Sequence, residues 1–287
     1  SLRVGGPATA QSAWVGELVE FCERTRTALD FVSTHYYPTD ALGSASTNTT
    51  EQLARAPRHV MRARATEVRD RAGGRPLVYS EWSTTSNPND PRHDDARGAV
   101  SAARIALDVA DVVDGYSYWT FSDVFEENYF PARPFHGGFG LLTLDGVAKP
   151  AYRAFELLHR LGHEKLRVAG HHRTVSLTAV RGSGELTLVV INDERPRHPI
   201  RSENVRIAIH GAARPRSVMV RRIGNDPDPR GAWKAIGAPD SLSPLELATV
   251  EEASRVHASH QRVTERDGVL HLDLAVPPHT MAFVSIE

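Results

Sequence analysis

The chain of 287 residues carries 34 basic and 35 acidic side chains, a formal charge of −1, which leaves no electrostatic footprint for nucleic acid or an anionic membrane surface. With 40% hydrophobic and 24% charged residues it has the composition of a globular protein, and at this length two domains are the default expectation. No apolar run approaches the ~18 residues of a transmembrane helix, and the single cysteine, Cys22, excludes an intrachain disulfide and argues against a cysteine-based zinc site.

In chain order, a short strand is expected near residues 2–6. Behind a Ser12 cap, Trp14, Val15, Leu18, Val19 and Cys22 recur at helical spacing, predicting a helix over 12–29 that buries the thiol. DFVSTHYYP (30–38) reads as a strand ending in aromatics and a proline. Residues 50–72 read as a helix kinked near Pro57 and ended by Gly73-Gly74. LVYSEW (77–82) is a strand that runs into a loop rich in Ser, Asn, Pro and Asp. Residues 95–113 repeat the helical stripe through Ala96, Ala99, Ala103 and Leu107, GYSYWTF (115–121) is a further strand, and Pro150 opens a helix that closes at Gly162. Repeated βα units imply a parallel sheet covered by helices. Four strands over residues 1–162 amount to half of a (β/α)8 barrel, which takes about 250 residues. Over 163–287 the pattern turns to period two, in TVSLTAV, ELTLVVIN, NVRIAIHG, SVMVRRIG, VLHLDLAV and TMAFVSIE, separated by Gly/Pro/Asn/Asp turns. This predicts an antiparallel β-sandwich with one helix inserted at 243–256.

Glu81 lies at the carboxyl end of its predicted strand, the place where ligands bind in parallel α/β folds. Taken by itself it could be a rim carboxylate in a surface ion pair. However, each of the last three strands ends in a polar-aromatic cluster. The first holds His35, Tyr36 and Tyr37, the second Glu81 and Trp82, and the third Trp119, Asp123, Glu126 and Glu127, followed by the loop PFHGGFG (134–140). Ring faces stack on the C–H faces of a pyranose and carboxylates accept hydrogen bonds from its hydroxyls, so three such clusters at one relative position point to a sugar site. Other polar groups read more plainly. His171-His172 and His257/His260 are solvent-facing histidines rather than metal ligands. His93-Asp94-Asp95 caps the following helix, and Glu251-Glu252 is a solvated helix face. Nothing in the pattern asks for a metal or a cofactor.

The stretches VGGPATA, DFVSTHYYPTD, YSEW, GYSYWTFSDVFEE and PFHGGFGLLT, followed by KPAYRAFELL, resemble the family-39 glycoside hydrolases, which include β-xylosidases and α-L-iduronidases. The resemblance continues through RRIGNDPDPRGAWKAIG and the closing PPHTMAFVSI. It implies a retaining mechanism on a (β/α)8 TIM barrel with an accessory β-sandwich. Residues 1–162 would then be the C-terminal half of the barrel and 163–287 the sandwich. By the same resemblance Glu81 would be the nucleophile, His35 and Tyr37 would line the glycone pocket, and Trp119 would form its floor. Glu126 and Glu127 match the loop whose carboxylate binds glycone hydroxyls, either of the two facing inward. The family's general acid/base is a glutamate after an asparagine ahead of the VGGPA motif, and this chain has no matching residue. The expectation is therefore a fragment of a longer enzyme, inactive by itself, whose partners are a glycoside or oligosaccharide substrate and the missing N-terminal half of the barrel. Exposed strand edges would also permit a homo-oligomer. The rim clusters hold no lysine or arginine before Arg133, which favours a neutral glycone, β-D-xylose, over the uronate of an α-L-iduronidase. A sugar-binding fragment without chemistry and an assembly role through the strand edges are the alternatives.

Overall fold

The computed structural model describes residues 2–40, 48–125, 131, 133–182, 184–212 and 215–287. Four short strands, β1 (Gly5–Thr9), β2 (Phe31–His35), β3 (Leu77–Trp82) and β4 (Gly115–Tyr118), pair in parallel in the order of the sequence. Helices α1 (Val15–Thr25), α2 (Thr49–Arg55), α3 (Val60–Arg71) and α4 (Ala96–Val109) connect them, and α5 (Pro150–Leu158) follows. One face of the sheet is buried against the helices, with Val32, Leu77 and Tyr79 packed on Val15, Val19, Ala65 and Val68.

Several boundaries differ from the sequence reading. The first strand begins three residues later than 2–6; just before it Val4 is tied to Asp30, its N–H donating to the Asp30 carboxylate and its carbonyl accepting the Asp30 N–H, both at 2.7 Å. Ser12 does not cap α1. It is buried in a 3-10 turn over Ala10–Ser12, and Trp14 opens the helix at φ 60° without a side-chain cap. The kink expected at Pro57 is a full break. Ala56, forced out of the helical region by the proline ring, sits extended at φ −61°, ψ 138°, so α2 and α3 are separate helices. Asp95 caps α4 as expected, accepting from the N–H groups of Arg97 and Gly98.

The rest of the chain is antiparallel. A six-stranded sheet is built from β5 (Glu164–Lys165), β6 (Val175–Arg181), β7 (Leu186–Asn192), β9 (Val218–Ile223), β10 (Ala258–His260) and β13 (Thr280–Ile286), in the order β10-β9-β13-β7-β6-β5. A three-stranded sheet has the order β11-β12-β8, from β8 (Glu203–His210), β11 (Thr264–Arg266) and β12 (Val269–Val276). The two sheets share a core in which Leu188, Val190, Val220 and Val284 meet Ile207, Leu272 and Leu274. Helix α7 (Pro244–Ala253) matches the predicted insertion, closed at its start by a Ser243/Glu246 capping box. Helix α6 (Pro229–Ala235) starts on a proline, its Asp228 cap accepting from the Gly231 N–H.

Strands β7 and β13 depart from the alternation the sequence suggested, since all seven residues of β13 are buried. The outer face of the large sheet is covered too. Ala99, Val100 and Ala103 of α4, with Ala151, Ala154 and Leu157 of α5, pack on Val189, Ile191, Ile223, Met281 and Phe283. Small alanines on the helices allow this close approach. Each fully buried Leu, Ile or Phe here contributes on the order of 1.5–3 kcal/mol, so the α/β part and the all-β part are joined by a continuous core.

Candidate active site

The position of Glu81 is set by an irregularity in β3. Thr34 pairs with Tyr79, but the next residue of β2, His35, pairs with Glu81, so Ser80 is a bulge residue without a partner across the β2 ladder. Under strict alternation Leu77, Tyr79 and Glu81 would all face the helices. The extra residue resets the pleat. Trp82 rejoins Leu77 and Tyr79 on the buried side, and Glu81 turns to the open face, where its side chain is 23% exposed.

Two residues from the end of β2 hold the carboxylate. Tyr37 donates its hydroxyl proton to Glu81 Oε1, and His35 Nδ1 lies 3.3 Å from Oε2. The carboxylate is thus bracketed on both oxygens by groups from one neighbouring strand end. Trp119 follows β4, its N–H donating to the carbonyl of Trp82 at 2.7 Å, and its ring stands edge-to-face on Phe125 at 5.1 Å between centroids. His35, Tyr37, Glu81 and Trp119 therefore gather at the carboxyl end of three adjacent strands. Glu126 and Glu127 lie outside the described residues.

Other members of the three clusters serve different ends. Tyr36 turns toward the helices, with the Arg64 guanidinium 5.4 Å over its ring. Trp82 is completely buried, stacked on Tyr116 at 4.1 Å and meeting the edges of Tyr118 and Phe155. Burial holds the Tyr116 phenol well above its usual pKa and raises that of Tyr118, so both are neutral packing groups. Asp123, grouped with the sugar ligands in the sequence reading, is buried, its side chain without solvent exposure.

Asp123 belongs to an assembly that sequence reasoning missed. Lys149, at the N-cap of α5, is fully buried, and its Nζ lies 2.6 Å from Asp123 Oδ2, 2.7 Å from Asp94 Oδ1 and 3.0 Å from the Gly138 carbonyl. The same carboxylates accept backbone N–H groups from the glycine-rich loop, Gly137 on Asp94 at 2.7 Å and Gly140 on Asp123 at 2.8 Å. Beside them the buried His93 ring bridges Thr85 Oγ1 and the Gly137 carbonyl, both at 3.0 Å, and burial pushes its pKa down. Burial opposes the charge on Lys149, but Asp94 and Asp123 more than offset this and hold its pKa above the usual value. His93 and Asp94 thus do not cap α4, which needs only Asp95; they fasten the loop after β4 to the loop after β3. One signal for this was present. The chain has three lysines, and Lys149 stands just before Pro150 at a helix start, where the helix dipole disfavours a cation.

Among the described residues there is no grouping of three or more His, Cys, Asp or Glu side chains able to hold a metal ion, and no helix long and apolar enough to cross a membrane.

A parallel βα sheet with a bracketed carboxylate and an aromatic residue at the carboxyl ends of its strands places these groups where α/β proteins bind their ligands. The chain belongs to glycosyl hydrolases family 39, whose sequence model matches residues 1–271. It is similar to a beta-xylosidase of Caldicellulosiruptor saccharolyticus, 37% identical over 293 aligned residues, which cover 100% of this chain and 60% of the relative. A beta-xylosidase of Geobacillus stearothermophilus is 30% identical, with coverage of 100% and 58%. In three dimensions the chain is similar to a family-39 beta-xylosidase from Caulobacter crescentus, at a TM-score of 0.76 and 28% identity, covering 100% of this chain and 57% of that one. It is also similar to the family-39 enzyme of Xanthomonas axonopodis pv. citri, at 0.75 and 26%, with coverage of 100% and 60%. The chain spans about three fifths of the length of the curated relatives it matches.

Proposed function

We propose that this chain carries the nucleophile of a retaining glycoside hydrolase that removes a neutral sugar, β-D-xylose, from a non-reducing end. The observation that carries the reading is the Glu81 carboxylate on the open face of β3, with Tyr37 on one oxygen and His35 beside the other. A Glu81 oxygen attacks the anomeric carbon as the bond to the leaving oxygen breaks, and water then opens the glycosyl ester. Tyr37 and His35 fix the carboxylate's orientation through this exchange. Trp119 offers an apolar face to the sugar ring, and Glu126 or Glu127 accepts from its hydroxyls.

Retention needs a second carboxyl group ~5–5.5 Å from the first to protonate the leaving group. The buried carboxylates behind this site, Asp94 and Asp123, are bound to Lys149 and do not suit that role. The reading therefore assigns the acid to a complementary set of βα units. Among the described residues the outer edges of β1 and β4 are unpaired, and a closed (β/α)8 barrel would use both. On this view residues 1–162 are the C-terminal half of a barrel, 163–287 are its accessory sandwich, and the chain without its complement is inactive.

Two beta-xylosidases among the relatives support xylose as the glycone. The charges around the site agree with a neutral sugar. Lys149, the cation buried behind these loops, is already shared by two carboxylates and has nothing to offer a uronate.

The test is to treat the complete barrel with a 2-fluoro xyloside carrying a good leaving group and map the adduct by peptide mass spectrometry. The label is expected on Glu81, with turnover of aryl β-xyloside abolished in Glu81→Gln and aryl α-iduronide left untouched. A label on another residue would remove Glu81 from the role, and preference for the iduronide would overturn the charge argument. Sugar binding without any labelling would leave a binding fragment.

A further inference from the structure

Between the α/β part and the sandwich lies a second cavity, of about 350 Å³, whose lining includes Thr84 and Thr85 but none of His35, Tyr37, Glu81 or Trp119. Six guanidinium groups line it, from Arg58, Arg92, Arg97, Arg104, Arg195 and Arg197, against two carboxylates, Asp193 and Glu194. Those carboxylates are already satisfied. Asp193 accepts from Arg104 Nε and Ser101 at 3.0 Å and faces His279 at 3.2 Å, while Glu194 pairs with Arg173 and Arg195, both at 3.2 Å. Arg92 is bound to Asp90 at 3.0 Å and Arg197 lies 3.4 Å from Glu51.

Positive charge remains. Arg58 spends its hydrogen bonds on the carbonyls of Asp193 and Thr174 and on the His59 ring; among the described residues it forms no ion pair, although Asp193, Glu194 and Asp108 act on it at longer range. Its pKa is lowered, first by burial and then by the neighbouring Arg104. Arg97, exposed at the rim, makes no side-chain hydrogen bond or ion pair among the described residues, and its charge acts only at longer range on Asp95. Arg104 is the most telling. Its side chain is only 10% exposed, its Nε and Nη1 are used by Asp193 and the Arg58 carbonyl, and its Nη2 has no partner among the described residues. Nη2 is not among the buried unpartnered atoms, so solvent in the cavity reaches it, and its two N–H donors are open to an acceptor there. The remaining wall is apolar, formed by Leu53, Pro57, Val60, Met61 and Ile105.

We infer that this cavity binds an organic carboxylate, its anionic end on Arg104 Nη2, Arg58 and Arg97 and its body against the apolar wall. A planar carboxylate matches the fork of a guanidinium, and the volume falls in the range of small-molecule pockets, roughly 300–1,000 Å³. Inorganic phosphate would meet the charge but leave the apolar wall unfilled. The shared chemistry, a carboxylate on a compact ring, is that of aromatic acids and of sugar acids. The site is independent of the xylosidase reading, because it uses none of that reading's residues.

The test is calorimetric titration of the full-length polypeptide at low salt with 4-hydroxybenzoate, D-glucuronate, methyl 4-hydroxybenzoate and inorganic phosphate. One of the two acids is expected to bind once per chain, with Kd below about 1 mM, while the ester and phosphate do not. Which acid binds identifies the source. Arg97→Ser removes an unpaired rim cation and is expected to weaken binding about fivefold to tenfold. Arg104→Lys keeps the charge but withdraws Nη2, and is expected to weaken it by at least as much. Binding should be unchanged in Glu81→Gln, which separates this cavity from the glycone site. Absence of binding by both acids, equal binding of the ester, binding of phosphate alone, or indifference to both arginine variants would each overturn the assignment.

Discussion

Replacing Lys149 by methionine, which preserves length and removes charge, tests whether the clamp behind the site holds the loops as its geometry implies. Two carboxylates, Asp94 and Asp123, would lose a cation that lies 2.7 and 2.6 Å away with no solvent access. Removing one partner of a buried pair costs about 3–5 kcal/mol, because the other charge stays behind unpaired. Here two charges are stranded, but the Gly137 and Gly140 amides still bond to them, so about 4 kcal/mol is the expected loss. At about 2–4 °C per kcal/mol for a protein of this size, the thermal midpoint should fall by roughly 8–16 °C. Scanning calorimetry on the wild type and Lys149→Met would read this directly. The triple variant Lys149→Met/Asp94→Asn/Asp123→Asn should recover part of the loss, since no unpaired charge remains. The pH dependence has a defined sign. The folded pKa of Lys149 is raised above its ordinary value, so its contribution is whole below about pH 10 and is lost as pH rises through the folded value. The difference between wild type and Lys149→Met should therefore not shrink through lysine deprotonation anywhere below that pH. A loss under about 1 kcal/mol, or a triple variant weaker than the single one, would refute the account of a charge-held clamp.

Two further outcomes follow from local physics. Asp95→Ala should cost about 1 kcal/mol in urea denaturation through loss of the α4 cap, whereas Asp95→Asn, which caps equally well, should stay within ~0.5 kcal/mol because burial already disfavours the charged form. In an ultraviolet pH titration, Tyr79, pushed up to about 12 by burial, should ionise above the range of a free phenol, as should Tyr116 and Tyr118. The unfolded phenol ionises first, so the contribution of Tyr79 to stability falls as pH rises from about 10 toward 12, and ionisation of these three tyrosines in the ordinary phenol range in the folded protein would contradict the packing described.

The order of elements was legible because each strand and helix carries its own periodicity, and the motifs that resemble family 39 lie at strand ends where the backbone directs ligand groups. Glu81, His35, Tyr37 and Trp119 were singled out in this way; the structure puts His35 and Tyr37 on the Glu81 carboxylate and Trp119 after the neighbouring strand. What could not be read was anything decided between distant segments. Period two cannot announce the bulge at Ser80, which depends on how β3 pairs with β2. The fully buried β13 looked two-sided because its covering helices, α4 and α5, come from the other half of the chain. Asp123 looked like a sugar ligand because the lysine that neutralises it is 26 positions further along the chain and on a different element. Local helix grammar explains Asp95 and fails for His93 and Asp94, whose partners are loop groups of Gly137 and a lysine far along the chain.

Each strand-end cluster in fact serves two layers of the fold. The pleat of a strand sends neighbouring side chains to opposite faces, so a run of aromatic and acidic residues at a strand end is divided between the open face and the core. His35 and Tyr37 reach Glu81 while Tyr36 packs on the helices, and Glu81 faces open space while Trp82 is locked between Tyr116, Tyr118 and Phe155. In the role proposed for it, Glu81 would have to be held to about 0.5 Å, which requires that the residues beside it cannot change rotamer. Trp82 meets that condition for β3, and Asp123, bound to Lys149, meets it for the segment that follows Trp119. The residues that the sequence groups with the candidate sugar ligands and the structure buries are thus those that would make the proposed ligands rigid. A sequence pattern of this kind marks the location of a site more reliably than the membership of its first contacts.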